Sequence, residues 1–161
     1  MSRRDADIPT NGAQSPLRNG VRAILVYAGG VGLVVTVIGT FLPWLGSGNA
    51  ERNSYAAGGA VRRLLTLSRP LHDALGAWPL LGLVAACAVA ALLLGYVVVG
   101  LCLGALVAIV AGGCAAAVLP VHGNQYAHVL HAGPLTTLLG AMLVALTDLI
   151  ALGFAFARRP R

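Results

Sequence analysis

The chain contains no lysine: all eleven of its basic residues are arginine. Acid is scarcer still, with five Asp or Glu, and charges of both signs make up 10% of the 161 residues. A soluble domain is typically about 25% charged, so an ordinary water-facing surface is excluded. There is no Gly-x-Gly-x-x-Gly after a strand, no P-loop, no His-Glu-x-x-His and no nucleophile elbow. Catalysis needs a convergent polar constellation, and none is visible, so neither an enzyme nor a cofactor is expected. Cysteine is limited to Cys87, Cys102 and Cys114. None has Cys-x-x-Cys spacing, and an odd count leaves at least one unpaired. All three fall in apolar sequence, where cysteine serves as a small hydrophobe, and buried packing is their expected role.

What the chain has is apolar length. Hydrophobic residues make up 58% of it, and mean hydropathy is +0.83. Trp78 to Pro120 is forty-three residues without one charged side chain. One crossing of the hydrocarbon core needs about 20 apolar residues, so this stretch predicts a hairpin of two spans. A third apolar run follows Arg22, and a fourth ends at Arg158. The first run is longer than a signal h-region, so it is read as a retained span although Gly48-Asn49-Ala50 resembles a cleavage site.

The predicted fold is therefore all-α, a polytopic four-helix transmembrane bundle. Its spans cover about 23–42, 78–96, 99–119 and 135–157. Residues 1–21 are polar and rich in Pro, Asn, Gly and Ser, and predict a disordered tail; residues 22–161 form the transmembrane domain. Seven arginines (3, 4, 18, 22, 158, 159 and 161) lie on the side of the termini. The first loop has four and the third none, which predicts cytoplasmic termini in a cell membrane. Net charge is +6, but the arginines flank the apolar runs. That points to lipid contact and topology, not to nucleic acid.

Small residues mark the packing faces. Ala28, Gly32, Thr36 and Thr40 form one stripe, Gly82, Ala86 and Ala90 a second, and Gly100, Gly104, Ala108 and Gly112 a third. Such stripes let helices approach closely, within one chain or between copies. Pro43 is expected to stop the first helix and Trp44 to sit at the interface. In the first loop, Ser54 is expected to cap a short amphipathic helix that lies in the headgroup plane or packs on the bundle. Pro70 would end it.

Asp148 is the one charge inside a span. At a helix centre it disfavours insertion by roughly 2.5–3.5 kcal/mol, while eleven Leu, Ile, Val or Phe in the fourth run favour insertion by about 3–7. Asp148 shares a face with Thr137, Ala141 and Ala145 and is expected to point into the bundle. There it could fix helix register through Tyr27, Thr36 or Tyr96, couple an ion, or contact a lipid or partner. His72, His122, His128 and His131 are the candidates for a metal or pH site. One helical turn would join His128 to His131, but no carboxylate or Cys stands beside them at a recognised spacing.

FLPWLGSG (41–48) followed by ERNSYAAGGAVRRL (51–64) resembles a pattern of uncharacterised actinobacterial four-span membrane proteins, in which Pro-Trp ends the first helix. A high-GC genome would also account for the missing lysine. The resemblance covers about twenty-five residues and implies that Pro43, Trp44, Arg52, Asn53, Ser54 and Tyr55 form the specific contact surface. The expected partners are the lipid bilayer and another membrane protein, with a homo-oligomer open. The expected role is a non-enzymatic scaffold or accessory subunit of a cell-envelope complex. The alternatives are a small oligomeric transporter or channel using Asp148, and metal or pH sensing by the loop histidines.

Overall fold

The computed structural model describes residues 16–47, 50–64, 68–121 and 128–156. In order, the elements are α1 (Pro16–Phe41), β1 (Pro43–Ser47), β2 (Ala50–Asn53), α2 (Ser54–Leu64), α3 (Arg69–Ala77) and α4 (Leu80–Leu93). Then come α5 (Val97–Val107), a π-helical turn (Ala108–Gly112), α6 (Gly113–Val118), β3 (His128–Val129) and α7 (Ala132–Phe156). α5, the π turn and α6 form one continuous rod. Three helical stretches are long and apolar enough to cross a membrane: Ala23–Phe41, Val97–Val118 and Ala132–Phe154. α4 is equally apolar but has 14 residues. Its hydrogen-bonded length is about 21 Å, against a hydrocarbon core of about 30 Å.

The bundle is built on an antiparallel seam between α1 and α7. Gly29 lies against Thr147, Gly32 against Val144 and Gly140, and Gly39 against Thr137. These positions on α1 advance by three and then seven, a repeat of about 3.5 residues that keeps one stripe facing a partner helix. A Cβ at Gly140 would meet the Oγ1 of Thr36 at 2.6 Å and the Gly32 carbonyl at 2.8 Å. Backbones this close gain dispersion contacts that larger residues would prevent. Two hydroxyls on the seam fold back onto their own helices: Thr36 donates to the Gly32 carbonyl at 2.8 Å, and Thr147 to Leu143 at 2.8 Å; the Thr137 Oγ1 is buried without a partner among the described residues. Leu33, Val107, Val144 and Leu92, with small partners Ala85, Ala88, Ala108 and Ala141, fill the centre.

The hairpin turns where expected. Gly95 has φ +87°, a conformation that glycine adopts without Cβ strain. Its N–H donates to the Leu92 carbonyl at 3.2 Å, and the Tyr96 N–H to Ala91 at 2.8 Å. This is the Schellman pattern that closes a helix C-terminus. Gly100 then packs on Leu92 and Ala88 of α4, and Gly112 on Ala141 of α7. Gly104 makes ordinary contact with Val144 and Leu33. The glycine stripe of the third run thus joins helices within the chain.

Several expectations are corrected. The fold is mostly helical, as expected, but not purely so: β2-β1-β3 form a three-stranded antiparallel sheet, and the first loop carries two short helices where one was expected. α1 starts at Pro16, so residues 16–21 are helical where a disordered tail was expected. A proline in the first helical turn loses no bond there, because that N–H has no intrahelical acceptor. Residues 1–15 lie outside the described residues. Pro70 lies in the first turn of α3, which begins at Arg69, instead of merely ending α2. On α4 the face is reversed: Ala86 and Ala90 are exposed, while Ala85, Ala88, Ala91 and Leu92 are buried. An apolar helix without amphipathic bias gives the sequence no way to tell its faces apart. The cysteines are corrected for the same reason: all three are free and exposed on the outer surface. That surface is otherwise apolar, with Ile24, Val34, Leu83, Val99, Ile109 and Leu146 all exposed.

Gly140→Ala is expected to destabilise the bundle by about 1–3 kcal/mol, because the methyl group forces α1 and α7 apart. Gly153→Ala, with nothing within 4 Å of the new Cβ, should leave stability within about 0.5 kcal/mol. Thermal or denaturant unfolding in detergent reads both.

Candidate functional site

Pro43 sets up the first of two candidate sites. The carbonyl of Gly39 would normally accept from the residue four positions on, but that residue is Pro43, which has no N–H. The Trp44 indole supplies the bond instead, its Nε1 donating to the Gly39 carbonyl at 2.9 Å. The next orphan, the Thr40 carbonyl, accepts from Ser54 Oγ at 2.7 Å. Ser54 is itself met by Trp78, whose Nε1 lies 3.1 Å from Ser54 Oγ. The two indoles meet edge to face, with ring centroids 6.4 Å apart, a favoured aromatic geometry. Tyr55 OH pairs with Thr40 Oγ1 at 3.1 Å, and its ring lies 5.0 Å from that of Phe41.

The sheet delivers Trp44 to this position. β1 pairs Pro43 with Asn53 and Leu45 with Arg52, leaving Trp44 as one extra residue between them. A bulge of this kind re-aims a side chain, and Trp44 is turned inward to 5% exposure. On its other edge β1 pairs with β3, Leu45 with Val129 and Gly46 with His128. The Leu130 N–H donates to the Trp44 carbonyl at 2.9 Å. Gly133, on the first turn of α7, leaves just enough room for the indole: a Cβ there would meet Trp44 Nε1 at 2.5 Å. The first and third loops are therefore one folded cap over one end of the bundle.

The predicted contact residues divide within this cap. Arg52 is exposed and Asn53 and Tyr55 are half-buried, whereas Trp44 and Ser54 lie inside as structural parts. Pro43 is half-buried at the bulge. The helix cap is also corrected. Asn53, not Ser54, caps α2, with its Oδ1 accepting from the Ala56 N–H at 2.9 Å. Ser54 is unavailable because its hydroxyl serves α1. On the outer surface of the cap Glu51, Arg52, Arg63, Arg69, His72, Asp73, His128 and His131 are exposed.

The histidines do not converge. His72 is on α3, 3.6 Å from the Asp73 carboxylate. His128 is on β3 against Gly46, and His131 is at the bend before α7. The strand replaces the helical turn expected to join His128 and His131. His122 lies outside the described residues, and no metal-holding group of three occurs among the described residues.

The second site surrounds Asp148. It does not point into the bundle centre. It lies on an outward-opening groove of about 420 Å³ between α7 and the rod of α5 and the π turn. Ala105, Ala108, Ile109, Gly112, Ala141 and Met142 help to line it. None of the three expected partners reaches the carboxylate. Tyr27 and Tyr96 are exposed at 68% and 66%, and Thr36 bonds its own helix. The Asp148 Oδ2 is buried and has no hydrogen-bond partner among the described residues. The sequence marked Asp148 but not its surroundings, because the groove walls lie on two helices that are apolar all round.

Trp44→Phe, which keeps the ring but orphans the Gly39 carbonyl, should cost about 1–3 kcal/mol. Arg52→Ala, on the exposed face, should change stability by less than about 0.5 kcal/mol. Unfolding midpoints in detergent would separate the two.

No protein-family model, curated protein or solved structure matches the chain.

Proposed function

We propose that this is an integral protein of the cell membrane that crosses it four times with both termini cytoplasmic. It acts without catalysis, as a scaffold or accessory subunit of a cell-envelope complex. Trp78, Pro79 and Leu94 carry right-handed helical dihedrals. The second apolar arm is thus longer than its hydrogen-bonded core, which supports a fourth crossing. The arginine bias supports this orientation, with the cap outside the cytoplasm.

The observation that carries the functional reading is the cap itself. Two loops far apart in sequence form one sheet, held by buried bonds to the end of α1, and present charged side chains outward. Rigid support beneath an exposed polar surface suits recognition. Among the described residues the buried polar side chains are Thr36, Thr40, Ser54, Thr137 and Thr147. They offer hydroxyls committed to packing, and no acid–base pair. A second reading, an oligomeric transporter or channel with a pathway between copies, is favoured only by the unpartnered oxygen of Asp148.

Crosslinking and purification from the native host in mild detergent tests the proposal. A stoichiometric membrane partner attached through residues 50–77 is expected. Replacing Arg52, Arg63 and Arg69 together by Ala should weaken its retention about tenfold without moving the unfolding midpoint. A homo-oligomer with no partner, or turnover of an envelope substrate by the purified protein alone, would overturn it. The transporter reading instead requires a flux in liposomes that Asp148→Asn abolishes.

A further inference from the structure

We propose that the Asp148 groove receives a transmembrane helix of a different membrane protein, and that this helix carries an arginine or lysine at the depth of Asp148. The inference rests on the accessory-subunit reading and names the chemistry of the partner. Two independent features point to it. The walls include Ala105, Ala108, Gly112 and Ala141, small enough for another helix to approach its backbone closely. Against those walls sits a carboxylate that is only partly buried and lines the groove, and its inner oxygen, Oδ2, has no partner among the described residues. A lone acid at this depth is costly, and such groups pair with an opposite charge. Arg and Lys have aliphatic stems that suit apolar walls, with the charge at the tip where the acid lies.

Other occupants meet only half of the site. An acyl chain would fill the apolar walls but has no donor for the oxygen. Headgroup donors lie past Phe154, six residues and about 9 Å further along the helix. A second copy of this chain brings no basic residue within Ala23–Phe41, Leu80–Leu93, Val97–Val118 or Ala132–Phe154. Its donor near the right depth is the hydroxyl of Tyr27, two residues from Gly29, which faces Thr147.

The test uses the full chain in phosphatidylcholine liposomes, with a photo-crosslinker at Met142 or Leu149 in the groove, or at Leu83 on α4 as a control. The probe is a Leu/Ala transmembrane peptide of about 23 residues with one Arg about six residues from one end, compared with the same peptide carrying Leu there. The Arg peptide should be captured at the groove positions at least about tenfold more than the Leu peptide, with no preference at Leu83. Asp148→Asn should remove the preference, and Ala108→Leu, which fills the groove and keeps the acid, should reduce capture of both peptides. Equal capture of the two peptides by the unaltered chain overturns the proposal whether or not either variant folds. So do a preference that survives Asp148→Asn, labelling of lipid alone, and a crosslinked second copy. No native partner enters this assay. Arg-selective capture without a co-purified partner would sink the accessory-subunit reading and leave the groove assignment standing; the reverse pattern would sink only the groove.

Discussion

A helix that stops beside apolar surroundings leaves its last carbonyls with no water to turn to. At the end of α1 the problem is sharper, because Pro43 withholds the amide that the Gly39 carbonyl would have used. Much of the cap can be understood as the answer. The Trp44 indole takes the first orphan and the Ser54 hydroxyl takes the second. For Trp44 to reach back, β1 must carry a bulge. For Ser54 to reach back, α2 must start directly after β2, so Asn53 takes over as its cap. Trp78 then leans on Ser54, which fixes where the chain enters α4. Each group in this corner holds another in place, so removal of one is felt at several elements.

The seam between α1 and α7 works by a different economy. It has few large side chains and gains its stability from closeness. Glycine and threonine let two backbones touch along their length, and the hydroxyls of Thr36 and Thr147 are disposed of locally. The opposite flank of α7 is the contrast. There the rod of α5 and the π turn faces similarly small residues without the same intimacy, and a groove is left. A π turn shifts the helix face by an extra residue and often marks a functional position. In this chain it lines the same groove as Asp148.

Sequence patterns exposed the long elements and the turn at Gly95, because apolar length and glycine chemistry are local properties. They also identified the stripe Gly32, Thr36 and Thr40 as a contact face. They failed where the decisive partner is remote. β3 is two residues long and is a strand only because β1 lies beside it. Asn53 and Ser54 both qualify as caps, and the choice between them is made by a carbonyl on α1. On α4 nothing in the pattern distinguishes Ala85 from Ala86, so the buried face could not be read. Asp148 was conspicuous by its charge alone. Its place on a groove, outside the bundle centre, depends on how α7 rotates against α1.

The partner that α1 is shaped to meet arrives late. At ribosomal rates of about 5–20 residues per second, roughly a hundred residues separate α1 from the seam of α7, a wait of about 5–20 s. During that time the Gly–Thr stripe stands without its mate. Thr36 already donates to Gly32, and Thr40 donates to Val37 at 2.6 Å. The nascent helix therefore shows its surroundings no unsatisfied hydroxyl on that face. Local self-bonding makes α1 tolerable alone, and the absence of side-chain bulk makes it ready to be joined. The order of synthesis is thus reconciled with a fold whose tightest contact links near-opposite ends of the chain.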